Sequence, residues 1–328
     1  MTVETERTAT RTRTGAGAGL GLAVTSAAAF GTSGTFGSAL IRSGWSPSAV
    51  VLVRLALASL VLAVPTVLAL RGRFALLRRS APAVLVYGSL AVAGAQVCYF
   101  YAIQRLSVGV ALMLEYLGVI LVVLWMWLRH GRRPRRLTIA GAAAAILGLA
   151  LVLDLFGGLK IDPIGVAWGL GAAVGLAGYF VLSARAEDAL PPVAMAGTGL
   201  GVGAVVLAVL GFSGVLPLHS GTADTMFAGL ALPWWVPVAG LATVAAALAY
   251  VLGIGAARRL GATVASFVGL TEVLFAVLFA WLLLSQLPTL GQLIGGVFIV
   301  GGVALVRIDD LRRDRGVTLA EPAPVPAG

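Results

Sequence analysis

VGVALMLEYLGVILVVLWMWL, residues 108 to 128, decides the fold. It is an apolar run of the roughly 20 residues that a helix needs to cross a bilayer, and it carries one carboxylate, Glu115. A charged side chain at the centre of a membrane helix costs roughly 2.5–3.5 kcal/mol on the most lenient scale. Glu115 is therefore expected to face protein or water, which makes it the first functional candidate.

The rest of the chain has the same character. Of its 328 residues 59% are hydrophobic and 11% charged, against about 45–50% and about 25% in a soluble domain. An integral membrane protein is expected. The formal charge of +10 fits positively charged inner loops, and no basic, aromatic-interleaved pattern points to nucleic acid. The lone cysteine, Cys98, allows no intrachain disulfide.

Apolar runs and breakers place ten helices at 19–41, 48–70, 81–103, 107–128, 137–156, 163–184, 192–215, 233–256, 261–284 and 288–307. The breakers are Trp45-Ser46-Pro47, Arg71 to Ser80, Pro134, Phe156-Gly157-Gly158, Pro191-Pro192 and Leu287-Pro288. Residues 1–17 and 309–328 are expected as disordered cytoplasmic tails. The basic start resembles a signal peptide, but the first run continues to Ile41 without a cleavage site and is read as a retained helix. With the N-terminus inside, 19 of the 23 basic residues fall in inner segments, and only Arg42, Arg105 and Lys160 in outer loops. Both termini are thus expected in the cytoplasm. All tryptophans except Trp168 fall near expected span ends, as interfacial anchors do.

The halves repeat, at 18–156 and 161–308. A shift of 154 pairs Arg105-Leu106 with Arg259-Leu260, Trp127-Leu128 with Trp281-Leu282, Pro134 with Pro288, Gly141 with Gly295 and Gly148 with Gly302. Near the front of each half a shift of 144 pairs Gly21, Gly31, Gly34 and Phe36 with Gly165, Gly175, Gly178 and Phe180. An odd number of spans per repeat requires the second copy to be inverted. The expected architecture is all-α, two inverted five-helix repeats around a central cavity.

Several stretches resemble the EamA type of the drug/metabolite transporter superfamily: LAYVLGIGAARRLGATVAS (248–266), LTEVLFAVLFAWLLL (270–284), LGQLIGGVFIVGGVALV (290–306), and Arg54 in the second span. In the first half, RLSVGVALMLEYLGVIL (105–121) is similar to the Gly-Val-Ala…Leu-Glu-aromatic-x-Gly segment of the threonine/homoserine exporter branch. The resemblance implies export of amino acids or similar metabolites, in exchange for protons. Val119, Glu272 and Ser285-Gln286 depart from that branch, which usually has proline, proline and Gly-Glu there.

The residues themselves supply the candidates. Glu115, with Ala111 and Gly118 a turn away on either side, has space to bind an ammonium group or a proton; a structural carboxylate is the alternative. Glu272 lies three residues, nearly a helical turn, beyond Gly269, the repeat counterpart of Glu115. Two nearby carboxylates would suit proton coupling. Arg54 is read as a helix-packing group or a holder of a substrate carboxylate. Gln96, Tyr99 and Tyr116 are cavity-wall candidates. The hydroxyls and glycines of the first span are assigned to packing.

No P-loop, Gly-x-Gly-x-x-Gly fingerprint or metal-ligand cluster occurs, so no cofactor and no metal are expected. The expected partners are a small-molecule substrate, membrane lipid, protons and a second copy of the chain. The function expected is secondary export of a small metabolite across the inner membrane by alternating access. A passive facilitator or channel is the alternative, and a membrane enzyme or assembly subunit a more distant one.

Overall fold

In hydrocarbon every backbone N–H and C=O must be bonded within the chain, which apolar segments achieve by folding as helices. The computed structural model describes residues 2–106, 108–130, 135–152, 162–184, 190–227, 229–284 and 290–318. The first half contains α1 (Thr2–Gly31), α2 (Ser33–Arg42), α3 (Pro47–Ala69), α4 (Phe74–Arg79), α5 (Ala81–Val86), a π-helical segment (Tyr87–Gly94), α6 (Ala95–Arg105), α7 (Val108–Tyr116), α8 (Gly118–His130) and α9 (Arg136–Val152). The second contains α10 (Pro163–Ser183), α11 (Pro192–Phe212), β1 (Thr225–Phe227), β2 (Leu230–Leu232), α12 (Trp235–Ala242), a second π segment (Thr243–Leu248), α13 (Ala249–Gly269), α14 (Thr271–Leu284) and α15 (Leu290–Thr318). Five helical stretches among the described residues are long and apolar enough to cross a membrane: Pro47–Ala69, Ala81–Arg105, Pro163–Ser183, Pro192–Phe212 and Trp235–Gly269.

The helices depart from the expected ones where the chain bends. The first, fourth and ninth expected spans are broken at Thr32, Leu117 and Leu270. The third and eighth each contain a π-helical segment, a feature frequent at functional sites. Helix α13 runs through the gap expected after residue 256, turning at Gly261, whose φ of 76° suits a residue without Cβ. Helix α1 is continuous from Thr2, into the segment expected as a tail, because no proline or capping residue stops it. The loop signals at Pro134, Phe156-Gly157-Gly158 and Leu287-Pro288, and the chain after Thr318, lie outside the described residues.

Helices of the two halves pack on each other. A methyl group on Gly148 would stand 2.5 Å from the Gly295 carbonyl oxygen, and one on Gly302 would stand 2.5 Å from the Gly141 carbonyl oxygen. Because residue numbers fall along α15 as they rise along α9, the two helices run antiparallel with their backbones touching. At the other crossing, Gly165 meets Arg105 and Leu106, and Gly19 meets Arg259 and Leu260. These contacts liken Gly19 to Gly165, a shift of 146 residues, and Arg105-Leu106 to Arg259-Leu260, a shift of 154.

The longer loop after α11 forms a two-stranded antiparallel hairpin, with Thr225 opposite Leu232, and folds over the end of α2. Ser46 N–H donates to the His219 carbonyl at 2.9 Å, and the Trp45 indole to the Gly221 carbonyl at 2.8 Å. Trp45 is consequently buried, beside Trp234, and does not point outward as an interfacial anchor would. Trp125, Trp127 and Trp235 are exposed on the bundle surface.

Candidate functional site

The three breaks enclose a cavity of about 320 Å³. Its wall includes all six residues singled out from the sequence: Arg54, Gln96, Tyr99, Glu115, Tyr116 and Glu272. Glu115, at the carboxyl end of α7, and Glu272, in the first turn of α14, thus share one space, and each half contributes one carboxylate.

The backbone at two of the breaks is the same. Leu117 N–H bonds back to Leu114 O at 3.2 Å, and Leu270 N–H to Phe267 O at 3.2 Å. Ile120 then bonds to Leu117 O at 3.0 Å, and Val273 to Leu270 O at 3.2 Å. These three-residue turns leave the ends of the flanking half-helices at the cavity, where the helix dipoles act as fixed partial charges. The Tyr116 hydroxyl joins the two breaks: it donates to the Gly269 carbonyl at 3.3 Å and lies within reach of the Glu272 carboxyl.

Arg54, on α3, is 1% exposed. Its Nη1 donates to Ser33 Oγ at 2.9 Å and to Gln96 Oε1 at 2.6 Å, and its Nη2 to the Ala245 carbonyl at 2.5 Å. Ser33 is the first residue of α2 after the Thr32 break, Gln96 is on α6, and Ala245 is in the second π segment. The guanidinium therefore ties four segments of the wall together. Among the described residues Arg54 forms no salt bridge with either glutamate.

Sequence reasoning named Tyr99 and Tyr116 and missed the rest of the aromatic wall. Phe30, Tyr179, Phe180 and Tyr250 line the cavity, with Tyr179 packed edge-on against Phe30, Phe180 and Tyr250 at ring separations of 6.2, 5.0 and 5.6 Å. A signal was present: Tyr179 and Tyr250 fall at least a helical turn inside their expected spans, whereas interfacial tyrosines gather at span ends. Ser26 and Ser33, assigned to packing, also line the cavity; Ser26 donates to the Ala249 carbonyl at 2.7 Å.

An apolar helical bundle that holds a polar, carboxylate-bearing cavity between broken helices has the arrangement of a membrane transport protein. The chain belongs to the EamA-like transporter family, which matches it twice, over residues 17–154 and 163–308. The uncharacterized inner membrane transporter YicL of Salmonella typhimurium (strain LT2) is 23% identical over 242 residues, which cover 73% of this chain and 77% of that protein. A solved crystal structure superposes with a TM-score of 0.72 at 22% identity, covering 90% of this chain and 98% of the other. That likeness establishes the shared fold.

Proposed function

We propose that this protein is a secondary transporter that exports a small amine-bearing metabolite, an amino acid or a related compound, across the inner membrane by alternating access. The observation that carries the reading is the shared cavity: one carboxylate from each half, beside three helix breaks and the Arg54 tie, in a bundle of a transporter family. A buried carboxylate beside a cavity binds a cation, and the cations available are an ammonium group and a proton. Glu115 and Glu272 are the binding groups in this reading, Gln96, Tyr99 and Tyr116 the wall, and Arg54 a support for the moving elements.

The reading places ten spans in the membrane, the broken helices each counting once, with both termini cytoplasmic. The antiparallel contacts of α9 with α15 and the twin breaks in α7–α8 and α13–α14 support an inverted pair of repeats. In such folds alternating access is a rocking of one repeat against the other around a fixed site. Proton exchange at the two carboxylates supplies the driving force.

The test is counterflow in proteoliposomes with an imposed pH gradient. A gradient acid on the side that receives substrate stops accelerating export when Glu115 and Glu272 are both changed to glutamine. Flux in both directions that ignores the gradient and survives both substitutions would show a passive facilitator instead.

A further inference from the structure

The groups facing the cavity are unequal in what they have left to offer a ligand. Both Nη1 hydrogens of Arg54 have acceptors, Ser33 and Gln96, and Nη2 donates to the Ala245 carbonyl. Nε is sealed from solvent without a partner. A carboxylate is held well by arginine through two parallel N–H bonds from one edge of the guanidinium. Here the edge formed by the two terminal nitrogens is occupied, and the one edge that includes Nε is buried. The other cation on the wall, Arg42, is exposed at the end of α2, nine residues or about 13 Å along the helix from Ser33. The carboxylates are the reverse case. Neither Glu115 nor Glu272 forms a salt bridge among the described residues, and both face the cavity. Phe30, Tyr99, Tyr179 and Phe180 line the same cavity, and an aromatic face attracts a cation that has shed part of its water.

We infer that the cavity selects a monovalent organic cation, a protonated amine on an aromatic or apolar body with no carboxylate of its own, over a zwitterionic amino acid. This rests on the transport reading and narrows its substrate class. The ammonium group sits between Glu115 and Glu272, and the body lies against the aromatic wall. A carboxylate on the ligand would meet two glutamates and an arginine with three of its N–H groups engaged and the Nε–H buried. The volume, at the lower end of the roughly 300–1,000 Å³ usual for ligand pockets, suits a compact single-ring molecule.

The experiment compares three probes that share a ring and differ in charge: phenethylamine, phenylalanine and phenylacetate, radiolabelled, in proteoliposomes of the full chain, with protein-free vesicles giving the leak. The expected result is a kcat/KM for phenethylamine at least tenfold above that for phenylalanine, with phenylacetate excluded. Equal or better transport of phenylalanine overturns the inference and leaves the transporter reading standing; no transport of any probe above the leak overturns the inference and counts against that reading as well. A variant, Gln96→Leu, releases one Nη1 donor of Arg54 towards the cavity. The amine-to-zwitterion ratio is expected to fall at least threefold in it, and an unchanged ratio in folded, reconstituted protein shows that the engagement of Arg54 does not set the selectivity.

Discussion

The two broken helices have the same backbone and opposite electrostatics. In α7–α8 the acid precedes the break: Glu115 lies two residues before Leu117, where the last carbonyls of α7 point. In α13–α14 it follows: Glu272 lies two residues after Leu270, in the first turn of α14, at the positive end of that helix. A carboxylate at the amide end of a helix is stabilised by about 0.3–1 kcal/mol, and one at the carbonyl end loses a similar amount. Glu272 therefore has a supporting helix end, and in the proposed function Glu115 relies on the cation it binds. In the proposed transporter this difference would make the two carboxylates a directional pair of sites.

The sharpest way to break this comparison is to neutralise each acid in turn. Loss of a charge-assisted hydrogen bond is worth about 1.5–3 kcal/mol, so Glu115→Gln is expected to lower transport roughly 10- to 150-fold. Glu272→Gln, whose amide oxygen still accepts from the helix end, is expected to lower it several-fold. Initial rates in proteoliposomes check both. Equal losses, or a larger loss at Glu272, would mean that the helix ends do not distinguish the two sites.

A next difference lies in what each acid has as its counterpart. The 154-residue shift takes Glu115 to Gly269 and Glu272 to Gly118. A methyl group at Gly118 would lie 2.6 Å from the Ala173 carbonyl oxygen, which is backbone, whereas one at Gly269 would lie 2.8 Å from the far edge of the Phe180 ring. Gly118→Ala is thus expected to destabilise by about 1–3 kcal/mol, and Gly269→Ala by less because a ring can turn aside. Thermal unfolding in detergent reads this directly, and an inverted order would place the rigid contact at the wrong break. The same crowding explains why neither acid has a twin.

How far this could be read from the chain depends on the kind of signal. Glu115, Glu272 and Arg54 stand out because charge in an apolar run is costly, and all three line the cavity. The breaks do not stand out. Gly31, Gly118 and Gly269 each adjoin one, but among 43 glycines three carry no weight, and no proline marks the place. The partners of Arg54 are out of reach of local pattern, since Ser33, Gln96 and Ala245 lie 21, 42 and 191 residues away. The register at the front of the repeat is ambiguous for a related reason: like letters in a glycine-rich span match at several shifts, pairing Gly21 with Gly165, whereas the contacts liken Gly19 to Gly165.

Tyr116 sharpens the comparison by joining its terms, since its hydroxyl crosses from the first break to the carbonyl of Gly269 at the second. Tyr116→Phe removes one hydrogen bond of about 0.5–1.5 kcal/mol. Transport is expected to fall by a few-fold while the ratio between the Glu115→Gln and Glu272→Gln effects narrows, because the two breaks no longer move as one. If the double variants behave additively, within about 0.5 kcal/mol, the breaks are uncoupled and the tyrosine is only part of the wall.

The smallest effect belongs to the contacts of Arg105, at the end of α6, and of Arg259, within α13. Arg105 closes the first half with a 3.2 Å ion pair to Asp162, while its counterpart Arg259 is exposed and forms no ion pair among the described residues. Asp162 caps α10, accepting from Gly165 N–H at 3.2 Å and Ile164 N–H at 2.8 Å. These bonds, Gly165 first, and then Arg105, hold its carboxyl below the ordinary value. A carboxylate whose pKa is depressed on folding adds stability above its unfolded value of about 3.9 and loses it as the pH falls through the folded value. Asp162→Ala is therefore expected to lower the thermal midpoint slightly at pH 7, with the gap to wild type closing below about pH 4. Asp162→Asn retains the capping oxygen and gives up the charge, so it should keep most of the midpoint. A loss as large as that of the alanine variant would assign the effect to the pair with Arg105 and make the two halves differ here by charge, whereas retention assigns it to the cap and leaves the exposed pair with little influence, as screening by water predicts.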